Sequence, residues 1–164
     1  MGRNEMTHFI NTDGPAEKHK TPMQLVGIAS ALLARSPKEN QHLAQKLLQW
    51  IEPAIGFSQF QVFYDSFGTP VGYISWAMLA PDVEQRLLSG TPFGLHISEW
   101  TEGNSVWILD YVAPPQRTKS ILSFARDTLF PEHTHVKYVR RKADGSIRKV
   151  VTIQSRRQKE VVSQ

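Results

Sequence analysis

Asp110 interrupts an otherwise apolar run, "SVWILDYVAP" (residues 105–114), in which Trp107, Ile108 and Leu109 precede it and Tyr111 and Val112 follow. An ionised carboxylate on a strand of that composition is costly unless a cation or several hydrogen bonds satisfy it. It is therefore the first residue whose presence asks for a chemical reason. The plain reason is a structural acid met by backbone amides or a nearby arginine; the functional one is a carboxylate that orients a base or binds a cationic substrate. Other groups point less far. His133 and His135 in "PEHTHVKY" are spaced to lie on one strand face, as a metal pair would, but no third ligand accompanies them, and a loop-to-strand pair without metal is expected. Ser75 in "ISWA" lacks the elbow motif of a nucleophilic serine and is expected to be a packed hydroxyl, with Trp76 beside it as core. There is no cysteine, which excludes a disulfide framework, a thiolate nucleophile and the common zinc-cysteine sites.

These residues need a scaffold, and 164 residues are enough for one domain with a genuine core. Residues 1–21 read as a flexible polar tail and residues 22–164 as the domain. The tail has no apolar stretch typical of a secretory signal, and the longest weakly polar run, "LVGIASALLA" at 25–34, is about half a membrane span. No membrane span is expected, and the cytoplasm is the expected compartment. The formal net charge of +4 is unevenly placed. From Arg117 onward basic residues far outnumber acids, so this third of the chain can attract an anionic partner: nucleic acid, a membrane surface or an acidic protein.

Pattern and punctuation then give the elements. "TPMQLVGIASALLARSP" has Thr21 as N-cap, Pro22 as first helical residue, and Leu25, Ile28, Ala29, Leu32 and Leu33 along one side. "ENQHLAQKLLQWIEP" repeats the pattern with Leu43, Leu47, Trp50 and Ile51 and is expected to end at Pro53. "QFQVFYDSFGTPVGYISWAML" is a β-hairpin about "SFGTP". "APDVEQRLLSG" is a helix opened by Pro81, and "SVWILDYVAP" a more central strand. "RTKSILSFARDTLFPE" is an amphipathic helix, and "THVKYVRRKADGSIRKVVTI" a hairpin about Asp144-Gly145. Helix, helix, strand, strand, helix, strand, helix, strand, strand is the order of an α/β domain with a mixed sheet flanked by helices.

Three of these stretches, "GYISWAML", "EWTEGNSVWILDYVAP" and "KYVRRKADGSIRKV", together with "PMQLVGIASALLARSP" before them, resemble the RTX toxin-activating lysine acyltransferases. The resemblance covers nearly everything after the tail and rests most on "YISWA", on the approach from Trp100 to Trp107, and on Asp110 to Pro114. It implies a GNAT-like fold and transfer of a fatty acyl group from acyl carrier protein to internal lysines of an RTX-type protoxin, hence a part in toxin activation and hemolysis. It also implies a homodimer, and it puts Asp110 at the position of the family's catalytic aspartate, partnered by a histidine shortly after a Ser-Pro.

The chain departs from the family at that histidine. Here the stretch reads "SPKENQHLAQ", and alignment of Ser36-Pro37 without a gap places Glu39 where the histidine should be, with His42 three residues later. If residues 39–42 are helical the two share a face. His42 is the expected base, because imidazole titrates near neutrality whereas a glutamate needs burial to do so. A lysine ammonium must lose a proton before it can attack a thioester, and a carboxylate can orient the imidazole that takes it. "PPQRTKS", after Asp110, has no glycine with which to cradle the pyrophosphate of coenzyme A, so the expected donor is acyl carrier protein itself, with no bound cofactor. Two other classes remain open: a catalytically silent member that binds a protein partner, and a basic nucleic-acid-binding module docking through its C-terminal hairpin, the less favoured of the two.

Overall fold

A computed structural model describes residues 20–36, 42–89, 94–142 and 146–154. The hairpin turn expected at Asp144-Gly145, the tail before Lys20, and Glu39 lie outside the described residues. The elements are α1 (Pro22–Ala34), α2 (Leu43–Lys46), a π-helical turn (Leu47–Ile51), α3 (Glu52–Gly56), β1 (Phe60–Tyr64), β2 (Pro70–Leu79), α4 (Pro81–Leu88), a 3-10 turn (Ile97–Trp100), β3 (Ser105–Val112), α5 (Thr118–Phe124) with a second π-helical turn (Ala125–Leu129), β4 (His135–Arg141) and β5 (Ile147–Gln154). The five strands form one mixed sheet in the order β1-β2-β3-β4-β5. β1 and β2 pair antiparallel, as do β4 and β5, whereas β3 and β4 run parallel. This is the α/β architecture that the sequence pattern predicts, and it is consistent with a GNAT-like fold. β3 is the middle strand, as its apolar composition requires.

The chain divides into two compact units, Met1–Ser75 with Asp110–Leu122, and Trp76–Leu109 with Ser123–Gln164. In the first unit α1 starts as its residues dictate. The Thr21 hydroxyl accepts the Gln24 N–H while the Gln24 side chain accepts the Thr21 N–H, a reciprocal capping box that satisfies two otherwise orphaned donors. Ala29, Leu32 and Leu33 pack with Ile51, Ile55, Tyr73 and Val112 in one buried cluster, and Leu25, Ile28, Leu43 and Leu47 lie against it.

Two expectations about the second helix are corrected. It begins at Leu43, because His42 adopts a left-handed conformation (φ 62°, ψ 34°) and so caps the helix instead of belonging to it. Nor does it end at Pro53. The Glu52 N–H reaches back to the Leu47 carbonyl, closing a π-helical turn, and α3 restarts with Pro53 in its first turn, where a missing N–H costs nothing. Gly72 on β2 is required by a close approach: a Cβ there would stand 2.4 Å from the Val112 carbonyl oxygen.

In the second unit Trp100 and Trp107 are the largest fully buried side chains. Trp76 is half-buried and packs edge-on against Phe130. Glu84, on α4, accepts a hydrogen bond from the Trp107 indole N–H and one from Lys137 Nζ at 3.0 Å, and Lys137 also stands over the Trp107 ring. Burial pushes the Glu84 carboxyl up, but the hydrogen bonds from Trp107, Ser105 and Lys137 outweigh it and hold the group below the ordinary carboxylate range. Arg86 clamps Glu99 with both terminal nitrogens, and Glu99 also accepts the His96 N–H at 2.7 Å. The Arg86 hydrogen bond holds Glu99 at about 2 against an ordinary 4.5.

A carboxyl held low when folded stabilises the protein fully above its unfolded pKa and loses that contribution as pH falls through the folded one. Glu99→Gln is therefore expected to lower stability by an amount that is constant near neutral pH and shrinks between about 4.5 and about 2. Chemical denaturation of both proteins across that range checks it; a difference independent of pH would show that the carboxylate charge contributes nothing.

Candidate functional site

Asp110 lies near the end of β3, two residues before Val112, whose side chain belongs to the buried core of the first unit. Its carboxylate is mostly enclosed, with a side-chain exposure of 12%. Two groups meet it. The Tyr73 hydroxyl donates to Oδ2 at 2.7 Å, and Lys46 Nζ lies 3.6 Å from Oδ1. Tyr73 is fully buried, and its ring stacks on Phe60 with centroids 5.1 Å apart. The phenol therefore cannot swing to water, and packing helps hold its hydroxyl toward Asp110. Gly72 assists, because it lets the β3 backbone approach close beside Tyr73. An ionised acceptor makes this a charge-assisted hydrogen bond, stronger than one between neutral partners.

Lys46 is the last residue of α2, just before the π-helical turn, and is 23% exposed. Its ammonium is the cation that a carboxylate on this strand requires, so the opening puzzle has a physical answer. The partners described for Asp110 are a lysine and a tyrosine, to set beside the backbone amides or arginine of the plain reading. Tyr73 lies within "GYISWAML", but nothing in strand periodicity says which buried tyrosine will point its hydroxyl at an acid. Lys46 stands only four residues after His42 in the sequence, close to the expected base.

His42 is exposed at the N-cap of α2, and its carbonyl accepts the Lys46 N–H at 3.0 Å. Among the described residues no hydrogen bond or ion pair joins its ring to Asp110; Lys46, one turn further on, reaches the carboxylate instead. Ser75 is buried on β2, and its hydroxyl has no hydrogen-bond partner among the described residues. With no exposure at all it is not placed to attack a substrate. His133 and His135 line a polar cleft of about 120 Å³ together with Lys137, and among the described residues no group of three His, Cys, Asp or Glu could hold a metal. A second groove, about 500 Å³, runs along α1 between Lys20 and Arg35; Asp110 lines neither. Arg140, Arg141, Lys142, Arg148 and Lys149 are exposed on and beside the β4–β5 hairpin. No helix among the described residues is long and apolar enough to cross a membrane.

Replacing Tyr73 by Phe keeps the ring and removes one hydrogen bond to a charged, enclosed acceptor. The expected loss is about 1.5–3 kcal/mol of folding stability, measurable by urea denaturation. A Phe variant as stable as the parent would mean that Asp110 does not depend on this phenol.

Comparison with known proteins adds what geometry does not. Residues 18–154 match the pattern that defines the RTX toxin acyltransferase family, HlyC. The chain is 29% identical over 107 residues to the lysine-acyltransferase RtxC of Vibrio cholerae serotype O1, covering 65% of this chain and 69% of that protein. It is 33% identical over 95 residues to the RTX-II toxin-activating lysine-acyltransferase ApxIIC of Actinobacillus pleuropneumoniae, covering 58% of each. It is 31% identical over 93 residues to a protein-lysine myristoyltransferase HlyC of Escherichia coli, covering 57% of this chain and 52% of that one. The matches thus span from about half to about two thirds of these relatives' lengths.

Proposed function

The chain belongs to the RTX toxin acyltransferase family, and from that premise we propose that it is a protein-lysine acyltransferase that moves a fatty acyl group from acyl carrier protein to internal lysines of an RTX-type protoxin. The observation that carries the reading is the family match over residues 18–154, within which the Asp110 carboxylate accepts from Tyr73 and faces a lysine ammonium. A carboxylate so placed attracts the ammonium of an incoming lysine and aligns it, and it stabilises positive charge that develops on nitrogen as the amine attacks the thioester carbon. The C–N bond forms, the C–S bond breaks, and the carrier thiolate leaves.

The proton must go to a base, and the proposal assigns that role to His42. Its ring is exposed at the cap of α2, one turn from Lys46, and an imidazole base works near neutral pH. Glu39 is the alternative base. The co-substrate is acyl-acyl carrier protein and no cofactor is required. The exposed arginines and lysines of the β4–β5 hairpin supply long-range attraction for an acidic carrier. The reaction is placed in the cytoplasm, with a homodimer as the assembly. A second reading has one observation behind it. Lys46 neutralises Asp110 within the chain while His42 stands apart from the carboxylate, as they could in a silent member that only binds a protein partner.

Acyl transfer to a co-expressed RTX protoxin, followed by mass spectrometry, separates the two. Asp110→Asn keeps the shape and removes the charge, and is expected to lower transfer roughly 100-fold or more while leaving the fold intact; an equally active variant would return Asp110 to a structural role. Rate against pH for His42→Ala and Glu39→Gln locates the base. Loss of the neutral-pH rise in the first variant and its survival in the second is the expected pattern, and the reverse would assign the base to Glu39.

Charge reversal at Arg140, Arg141 and Lys142 is expected to weaken binding of acyl carrier protein and flatten its salt dependence. Titration over a salt series measures both, and unchanged binding would remove the hairpin as the docking surface.

A further inference from the structure

We propose that Lys46 is itself an acyl acceptor, so that the protein modifies its own α2 helix. The inference rests on the acyltransferase reading and extends it from the substrate to this chain. If Asp110 is where a substrate lysine is aligned, the structure already holds a lysine there. Lys46 Nζ stands 3.6 Å from Asp110 Oδ1, and the opposite oxygen is held by Tyr73, so an ammonium from elsewhere must compete with one that is tethered. A tethered group has a high effective concentration and needs no docking step.

Lys46 meets the other requirements of an acceptor. Its side chain is 23% exposed, against 12% for Asp110, so it is the more accessible side chain of the pair. Its ion pair with Asp110, at 3.6 Å, is longer than a charge-assisted hydrogen bond. His42 is exposed at the N-cap of the same helix, four residues before Lys46 and ahead of the π-helical turn.

The step balances without any further reagent. The Lys46 ammonium gives one proton to the base and through it to water. Its amine forms a C–N bond with the thioester carbon, the C–S bond breaks, nitrogen gives up its second proton, and the departing carrier thiolate takes up one proton. The product is an Nε-acyl lysine, an uncharged amide, so Asp110 loses the Lys46 ammonium as a partner at the same time as an acyl chain is attached beside it.

The test is incubation of the intact protein with myristoyl-acyl carrier protein, with and without an RTX protoxin, followed by intact mass and peptide mapping. The expected result is one hydroxylamine-stable acyl group on Lys46, lost in Lys46→Arg and strongly slowed in Asp110→Asn, with circular dichroism showing both variants folded. Protoxin acylated while Lys46 stays unmodified would overturn this inference and leave the acyltransferase reading standing. Acyl groups spread over the exposed lysines, such as Lys119, Lys142 and Lys149, and insensitive to Asp110→Asn would also overturn it, as chemical rather than directed acylation. Neither acceptor modified would sink both. Acylation of Lys46 but not of the protoxin would sustain the inference and count against the protoxin as substrate.

Discussion

The need to compensate a carboxylate on the middle strand governs much of the first unit. Asp110 sits where an unpaired charge would cost several kcal/mol, and three features of the chain answer it together. Tyr73 is buried in the same cluster as Val112, which fixes the direction of its hydroxyl. Gly72 leaves room for the β3 carbonyl that a side chain would exclude. Lys46 comes from a helix distant in sequence from both strands.

The π-helical turn explains how one helix serves both the core and the charge. Ile51 and Ile55 are core residues, while Lys46 reaches Asp110. Residues five apart do not stack in an α-helix, but a turn bonded five residues back lays them nearly over one another. The turn at Leu47–Ile51 therefore brings Lys46 toward the side on which Ile51 and Ile55 are buried. It also removes the demand for an N–H at Pro53, which a regular helix could not have met without loss.

The second unit treats Glu84 in a parallel way, with an aromatic donor from Trp107 and an ammonium from Lys137. An aromatic hydrogen bond and a lysine around a carboxylate are therefore not in themselves a catalytic signature, since both acids solve the same desolvation problem. Membership of the RTX toxin acyltransferase family, whose pattern matches residues 18–154, is what lets the proposal single out Asp110. Electrostatic pairing explains why the acid is tolerated; family membership supplies the reason to assign it chemistry.

Much of the architecture was written locally. Thr21, Pro22 and Gln24 specify the start of α1, Pro81 that of α4, and alternating apolar residues mark the strands, because caps and periodicity act over a few residues. The apolar run about Trp107 announced a middle strand, and the one acid within it announced a need for partners. The sequence alone did not determine the partners of that acid. Which buried hydroxyl points at Asp110 depends on the stacking of Tyr73 on Phe60, and which cation reaches it depends on a π-helical turn that runs through Pro53's usual stop signal. His42 likewise took a left-handed cap conformation that helical periodicity does not encode. Local propensity sets where elements begin, but the direction of a side chain forty or sixty residues from its partner is decided only when packing fixes both backbones at once.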